Sequence, residues 1–263
     1  MVITSRENRI IREYRRLQSD GKYRRQTRRF VLEGARLCED AARSDVPVAT
    51  VLYTEQAAEQ YPSQLAALSV CEQRFVITEA LASYIGDTAT PQGVFCICER
   101  PQTDTDILDT LPAGRYAALE TVQDPTNLGT MIRTAEALGL DGLILSDGCC
   151  DPYNPKVLRG SMGGVFRLPL YTAENLPERL RVLSLNGFTT VACVVDSNAT
   201  PITALPFDGA AVVVIGNEGN GLTAETVAAC SVSTTIPMQG RAESLNASMA
   251  AGIVFWEMMR KDG

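Results

Sequence analysis

The chain contains no histidine in 263 residues. Its chemistry must run without the usual neutral-pH base, and mixed Cys/His zinc sites are excluded. None of the eight cysteines (positions 38, 71, 96, 98, 149, 150, 193 and 230) forms a C-x-x-C pair. Buried or idle thiols are therefore expected, with an all-cysteine metal site as the alternative. No run approaches the roughly 18 uninterrupted apolar residues of a membrane-spanning helix. The N-terminal stretch "MVITSRENRIIREYRRLQ" has no apolar core and no small-residue cleavage site. A cytoplasmic protein with no metal and no membrane partner is expected. Internal repeats and low-complexity tracts are also missing.

What is present is ordinary globular composition, 45% hydrophobic and 21% charged, in a length that suits one large or two modest domains. The net charge of −7 argues against nucleic acid, but its distribution does not. Residues 1–36 hold eleven Arg/Lys against four acids, +7, which leaves −14 on the rest. Such asymmetry is the pattern of a phosphate-binding face on an acidic protein. The segment "KYRRQTRRF" interleaves aromatics with arginines, which suits phosphate contact and base stacking. Arg24, Arg25, Arg28 and Arg29 are the expected phosphate contacts, with Lys156 and Arg159 as a second location.

Helix and strand patterns alternate along the chain. Arg6–Ser19 reads as a helix with Ile10, Ile11, Tyr14 and Leu17 on one side, and "RFVLEG", "VPVATVLYT" and "GVFCICE" read as strands. Residues 1–99 thus form a small α/β domain, and the Pro-, Thr- and Asp-rich 100–114 a linker. Residues 115–263 form a second α/β domain, whose near-continuous apolar strands such as "AAVVVIG" imply a parallel sheet covered on both faces.

Ligands of open α/β sheets sit outside the carboxyl ends of the strands. Three loops with unusual content fall there: "QDPTNLG", "GNEGNG" and "IPMQGRAESLNAS". "GNEGNG" is neither a Walker loop nor G-x-G-x-x-G, and Glu218 would repel a pyrophosphate, so it suits a cationic or hydroxyl-bearing ligand. Ser244, Asn246 and Ser248 open the last helix; one of them suffices as its cap, which leaves the others for a ligand. In "NLGTMIRTAEALG", Arg133 lies off the apolar face of Met131, Ala135 and Leu138. A helical side chain covers the turn N-terminal to it, so Arg133 is expected to reach back over Gly129 toward Asn127. The residues alone leave two readings of it open, a functional arginine or a solvated charge.

Together the three loops resemble the SpoU (TrmH-type) branch of the SPOUT RNA methyltransferases. N-x-G-x-x-x-R is matched by Asn127, Gly129 and Arg133, and G-x-E-x-x-G by Gly216, Glu218, Gly219 and Gly221. I-P-M-x-G-x-x-x-S-L-N-x-S is matched from Ile236, Pro237 and Met238 to Ser244, Leu245, Asn246 and Ser248. The basic N-terminal domain is similar, at the level of pattern, to the ribosomal-protein-like RNA-binding domain that many members carry. The resemblance implies a deep trefoil knot in the C-terminal domain, a homodimer packed through the last helix with Phe255, Trp256 and Met259 as contacts, and S-adenosylmethionine bound at Gly216, Asn217, Ile236, Met238 and Leu245. It implies methyl transfer to a ribose 2′-hydroxyl, with ribosomal RNA favoured over transfer RNA. Arg133 would act with Glu218 and Asn246 orienting it, and with Asn127 and Ser248 in support. Because guanidinium stays protonated, Arg133 is expected to stabilise developing negative charge rather than to act as a base. The alternatives are base methylation on the same scaffold and a non-catalytic RNA-binding or ribosome-assembly protein; a Rossmann dehydrogenase is disfavoured by "GNEGNG".

Overall fold

The computed structural model describes residues 2–101, 108 and 110–260. The expected linker, 100–114, lies partly outside the described residues. The chain divides into two units, one of Met1–Gln102 with Tyr153–Phe166 and one of Thr103–Pro152 with Arg167–Gly263.

The first unit is built on a five-stranded mixed sheet in the order β1-β4-β3-β5-β2. Its strands are β1 (Val2–Ile3), β2 (Arg29–Glu33), β3 (Val48–Tyr53), β4 (Arg74–Ile77) and β5 (Val94–Glu99). Helix α1 (Arg9–Ser19) starts where Asn8 caps the N–H of Ile10, and it buries Ile11, Tyr14 and Leu17 against the sheet core. Tyr14 meets Phe95 edge-on at 5.6 Å and donates its hydroxyl to the Leu32 carbonyl at 3.1 Å. That pairing lets a fully buried phenol keep a hydrogen bond. Helices α2 (Gly21–Thr27), α3 (Ala35–Arg43), α4 (Glu55–Gln60), α5 (Pro62–Ala67) and α6 (Glu79–Ile85) complete this run of chain. Apolar periodicity in the sequence does not mark α2, α4 or α5. Helix α8 (Pro155–Ser161) also belongs to this unit, where the Tyr153 ring packs against Phe30 with centroids 4.8 Å apart and planes tilted by 45°.

The second unit carries a seven-stranded sheet, β10-β12-β9-β11-β6-β7-β8, in which every neighbouring pair is parallel. The strands are β6 (Arg115–Leu119), β7 (Gly142–Ser146), β8 (Leu170–Ala173), β9 (Thr189–Cys193), β10 (Thr200–Pro201), β11 (Ala211–Ile215) and β12 (Val232–Thr235). β7 and β11 are buried along their whole length, as expected for strands covered on both faces. Helices α7 (Pro125–Leu138), α9 (Gly164–Arg167), α10 (Leu176–Leu185), α11 (Ala224–Ala229) and α12 (Ala247–Met259) follow the strands. From β6 the chain runs to β7 and β8 on one side, and β11 and β9 lie on the other. The order therefore reverses at β6, and a crevice opens beyond the carboxyl ends of β6 and β11.

Candidate functional site

Both loops at that crevice are tied down by their own polar side chains. After β6, Asp124 caps α7 by accepting from the N–H groups of Thr126 (2.6 Å) and Asn127 (3.2 Å), with Pro125 as the first helical residue. The helix therefore starts at Pro125, and Asn127 lies inside its first turn. After β11, Asn217 and Gly221 exchange backbone hydrogen bonds at 3.0 Å in each direction. Asn217 Oδ1 accepts from the N–H groups of Gly219 (2.9 Å) and Asn220 (3.1 Å), and its Nδ2 donates to the Thr121 carbonyl at 2.7 Å. A Cβ on Gly216 would sit 2.3 Å from the Gly221 carbonyl carbon, so only glycine allows this turn to close.

The turn presents Glu218 to the start of α7. Its carboxylate accepts from Asn127 Nδ2 at 3.0 Å, the Asp124 N–H at 3.2 Å and the Gln123 N–H at 3.4 Å. Burial would raise the Glu218 pKa, but the bonds from Asn127 and from the backbone N–H groups of Glu218, Asp124 and Gln123 outweigh it and hold the carboxyl below its ordinary value. Glu218 is thus an anion at neutral pH. Asn127, only 8% exposed, uses its other end as well: Oδ1 accepts from Asn246 Nδ2 at 3.1 Å. Asn246 in turn caps α12, with Oδ1 accepting from the Ser248 N–H (2.9 Å), the Met249 N–H (3.3 Å) and the Ser248 hydroxyl (2.7 Å). One chain of amides and a carboxylate, Ser248–Asn246–Asn127–Glu218, links all three loops picked out in the sequence.

Arg133, two turns along α7, is exposed and has no hydrogen-bond or ion-pair partner among the described residues. Glu218 and Asn246, expected to orient it, hold Asn127 instead. The guanidinium is left available to something that is not part of the chain.

Beside this network lies a cleft of about 490 Å³, within the usual range for a small-molecule site. Gly216, Asn217, Ile236, Met238 and Leu245, the five residues expected at the cofactor, all line it, as do Glu218 and Ser244. Val195, Met238 and Leu245 are among the exposed large apolar side chains of the protein, and all three face this cleft. The lining also includes Glu243 and contains no Lys or Arg. Open apolar walls with carboxylates and no basic group fit a flat, partly apolar cation, which describes an adenosyl sulfonium. Sequence reasoning missed Val195 and Glu243, which belong to no motif. Among the described residues no group of three or more Cys, Asp or Glu side chains is placed to hold a metal.

The basic residues fall differently from expectation. Arg24 is 3% exposed and donates to the Leu17 (2.8 Å) and Gln18 (3.2 Å) carbonyls at the end of α1. A guanidinium spent on closing a helix is not offered to a phosphate, so the expected contact at Arg24 is corrected. Arg29 is held between Glu13 (3.0 Å) and Glu99 (3.3 Å). Arg159 pairs with Asp87 at 2.5 Å. Arg25, Arg28 and Lys156 remain exposed, Arg28 with a 3.3 Å bond to the Pro101 carbonyl. Phe255, expected at a dimer contact, is fully buried in the core of its own chain; Trp256 is exposed and Met259 half-buried.

Known proteins share this fold. Residues 114–256 match the SpoU rRNA Methylase family, and residues 8–96 match an MRM3-like substrate binding domain. The chain is 32% identical over 256 residues to the 23S rRNA (guanosine(2553)-2′-O)-methyltransferase RlmP of Bacillus subtilis, covering 97% of this chain and 98% of that one. An AdoMet-bound rRNA methyltransferase structure from Sinorhizobium meliloti aligns with a TM-score of 0.85 at 31% identity, over 98% of this chain and 97% of that one. The SpoU methyltransferase AviRb from Streptomyces viridochromogenes, in complex with AdoMet, aligns with a TM-score of 0.84 at 25% identity, over 96% and 98% of the two chains. With the family matched over more than half of its length and a relative 32% identical along nearly all of it, the chain belongs to the SpoU rRNA methylase family.

Proposed function

We propose that the protein transfers the methyl group of S-adenosylmethionine to a ribose 2′-hydroxyl in ribosomal RNA. The observation that carries this is the meeting of three motif loops in one hydrogen-bonded chain, beside an acid-lined cleft and an arginine without an internal partner. S-adenosylmethionine supplies an already activated methyl on a sulfonium. The cleft residues Gly216, Asn217, Ile236, Met238 and Leu245 would hold it, with Glu218 and Glu243 favouring its positive charge. Arg133 would meet the ribose side of the reaction, stabilising negative charge as it develops on the 2′-oxygen or clamping the adjacent phosphate. Asn127 and Asn246, braced by Glu218 and Ser248, fix the floor on which that ribose rests.

Several features extend this reading. The 236–246 segment lines the same cleft as the 216–222 turn, which is compatible with a C-terminal trefoil knot. Met249, Ile253 and Trp256 leave an apolar stripe on α12, at i, i+4 and i+7, suited to a second copy of the chain. The basic N-terminal unit would hold the RNA, with Arg25 and Arg28 among its contacts and Lys156 as a further one. All eight cysteines are free thiols, which fits the reducing cytoplasm where ribosomal RNA is made. No helix among the described residues is long and apolar enough to cross a membrane.

The test is to incubate the protein with methyl-labelled S-adenosylmethionine and protein-free ribosomal or transfer RNA, then digest to nucleosides for mass spectrometry. Label on ribose in the ribosomal sample is expected. Label on the base would support the base-methylating alternative. Failure to bind S-adenosylmethionine in calorimetry would favour a non-catalytic RNA-binding protein.

A further inference from the structure

Arg9, Arg12 and Arg16 lie on the side of α1 opposite Ile11, Tyr14 and Leu17, and all three are exposed. They wall an open groove of about 890 Å³ in the N-terminal unit. Its far side is formed by Tyr23 and Arg28 near α2 and by Arg100 just past β5. Six arginines line the groove against two glutamates, Glu13 and Glu99. Both glutamates are held by Arg29, and six arginines less two glutamates leave the groove at +4. Arg12 and Arg16 approach Glu7 and Asp20 only at 3.8 and 3.7 Å, between well-exposed side chains. Pairs of that kind hold little energy and yield readily to a better anion. Arg9 has no ion-pair partner among the described residues.

The geometry favours a strand over a single anion. Along α1 the three arginines are spaced about 4.5 and 6 Å apart, at 1.5 Å per residue, so they form a ladder rather than a point. The groove is open, and one wall carries an aromatic ring: the Arg16 guanidinium lies 3.9 Å from the Tyr23 ring centroid. The guanidinium covers the ring face as a cation–π pair, and its own outer face is a flat platform of the type on which unpaired bases stack.

We propose that this groove is the path of the RNA strand over the N-terminal unit, with phosphodiesters met by Arg9, Arg12 and Arg28 and one unpaired base stacked on the Arg16 guanidinium that Tyr23 backs. The proposal rests on the reading of the protein as an RNA methyltransferase. It moves the main contact from the 24–29 arginine run to the outer face of α1.

The test uses the full chain and a fluorescently labelled 20-nucleotide uridine strand, titrated by anisotropy across a salt series. The triple variant R9Q/R12Q/R16Q keeps good helix formers on exposed positions, so α1 should persist. Each lost single-strand phosphate contact removes about 0.7 from the slope of log affinity against log salt. The triple variant, which loses the contacts at Arg9 and Arg12, should therefore lose about 1.4 from that slope and bind at least about tenfold more weakly near physiological salt, with S-adenosylmethionine affinity unchanged. Tyr23→Leu, which retains apolar bulk against the core, should weaken binding about fivefold or more through lost stacking without changing the slope. Arg36→Gln, on an exposed position outside the groove, should leave both near wild type. A triple variant with wild-type slope and affinity overturns the groove, and so does a wild-type protein that binds an acidic protein there but no RNA. The functional reading fails separately: groove-dependent RNA binding with no methyl transfer to any RNA would sink it and leave the groove standing.

Discussion

Asn127 uses both ends of its carboxamide inside the protein, donating to Glu218 and accepting from Asn246. Asn127→Ala would leave a carboxylate and an amide short of a partner in a half-buried place. A loss of about 1–3 kcal/mol is expected in denaturant unfolding, together with a fall in turnover; an unchanged midpoint would show that the network bears no load. Arg133 makes the opposite prediction, because it has no hydrogen-bond or ion-pair partner among the described residues. Arg133→Ala should leave stability and S-adenosylmethionine affinity intact while turnover drops on the order of 10²–10³-fold, the range for losing one charge-stabilising donor. Arg133→Lys keeps the charge but loses the planar fork, so turnover near wild type would refute two-pronged contact with the ribose or phosphate. Glu218 has its folded-state pKa lowered. Its contribution is complete above the unfolded carboxyl value of about 4.3 and is lost as pH falls through the lower folded value. The stability gap between wild type and Glu218→Gln should therefore shrink below about pH 4 and stay constant from pH 6 to 8. A gap that persists at pH 3 would assign it to packing. The three motifs put all of these residues on view in the sequence, but not who holds whom: the expected Glu218–Arg133 partnership is replaced by Glu218–Asn127, since only the tertiary approach of the β11 turn to α7 decides it.

Elements show where local signals suffice and where they do not. The start of α7 is legible in the sequence, where Asp124-Pro125 is a cap followed by a first-turn proline. Helix α2 was hidden by its own charge, because a run of arginines reads as surface. The burial of Arg24 could not be seen, since its partners are carbonyls freed by the end of α1. The β11 turn offers a sharper test of element geometry. Gly216→Ala would drive a Cβ to within 2.5 Å of three backbone atoms of Gly221 and Leu222, whereas a Cβ on Gly240 meets nothing within 4 Å. Calorimetry should find S-adenosylmethionine affinity reduced at least tenfold by Gly216→Ala and nearly unchanged by Gly240→Ala, although both glycines belong to family motifs. Equal effects would mean that flexibility, not the close approach at Gly216, is what the cleft requires.

At the scale of the whole chain, the parallel sheet was legible because strands buried on both faces must be apolar throughout, and β7 and β11 are. Strand order was not, because parallel strands of similar composition carry no address for their neighbours. Quaternary structure falls between these cases. The last helix is apolar nearly all round, so its sequence separates core from contact poorly: Phe255 points inward, and the outward stripe is Met249, Ile253 and Trp256. Covering such a stripe removes apolar surface from water, and in a two-fold pair each copy would offer the same face to the other. Ala247, Ala250 and Val254 of the same helix line the cleft, so anything that braces α12 also braces one wall of the cofactor site. Light scattering at micromolar concentration should then give twice the chain mass for the wild type and a single-chain mass for Trp256→Glu. The variant should bind S-adenosylmethionine more weakly while its circular dichroism stays native, because Trp256 is exposed within one chain. A wild-type protein that scatters as a single chain, or a monomeric Trp256→Glu with full cofactor affinity, would separate the cleft from the dimer.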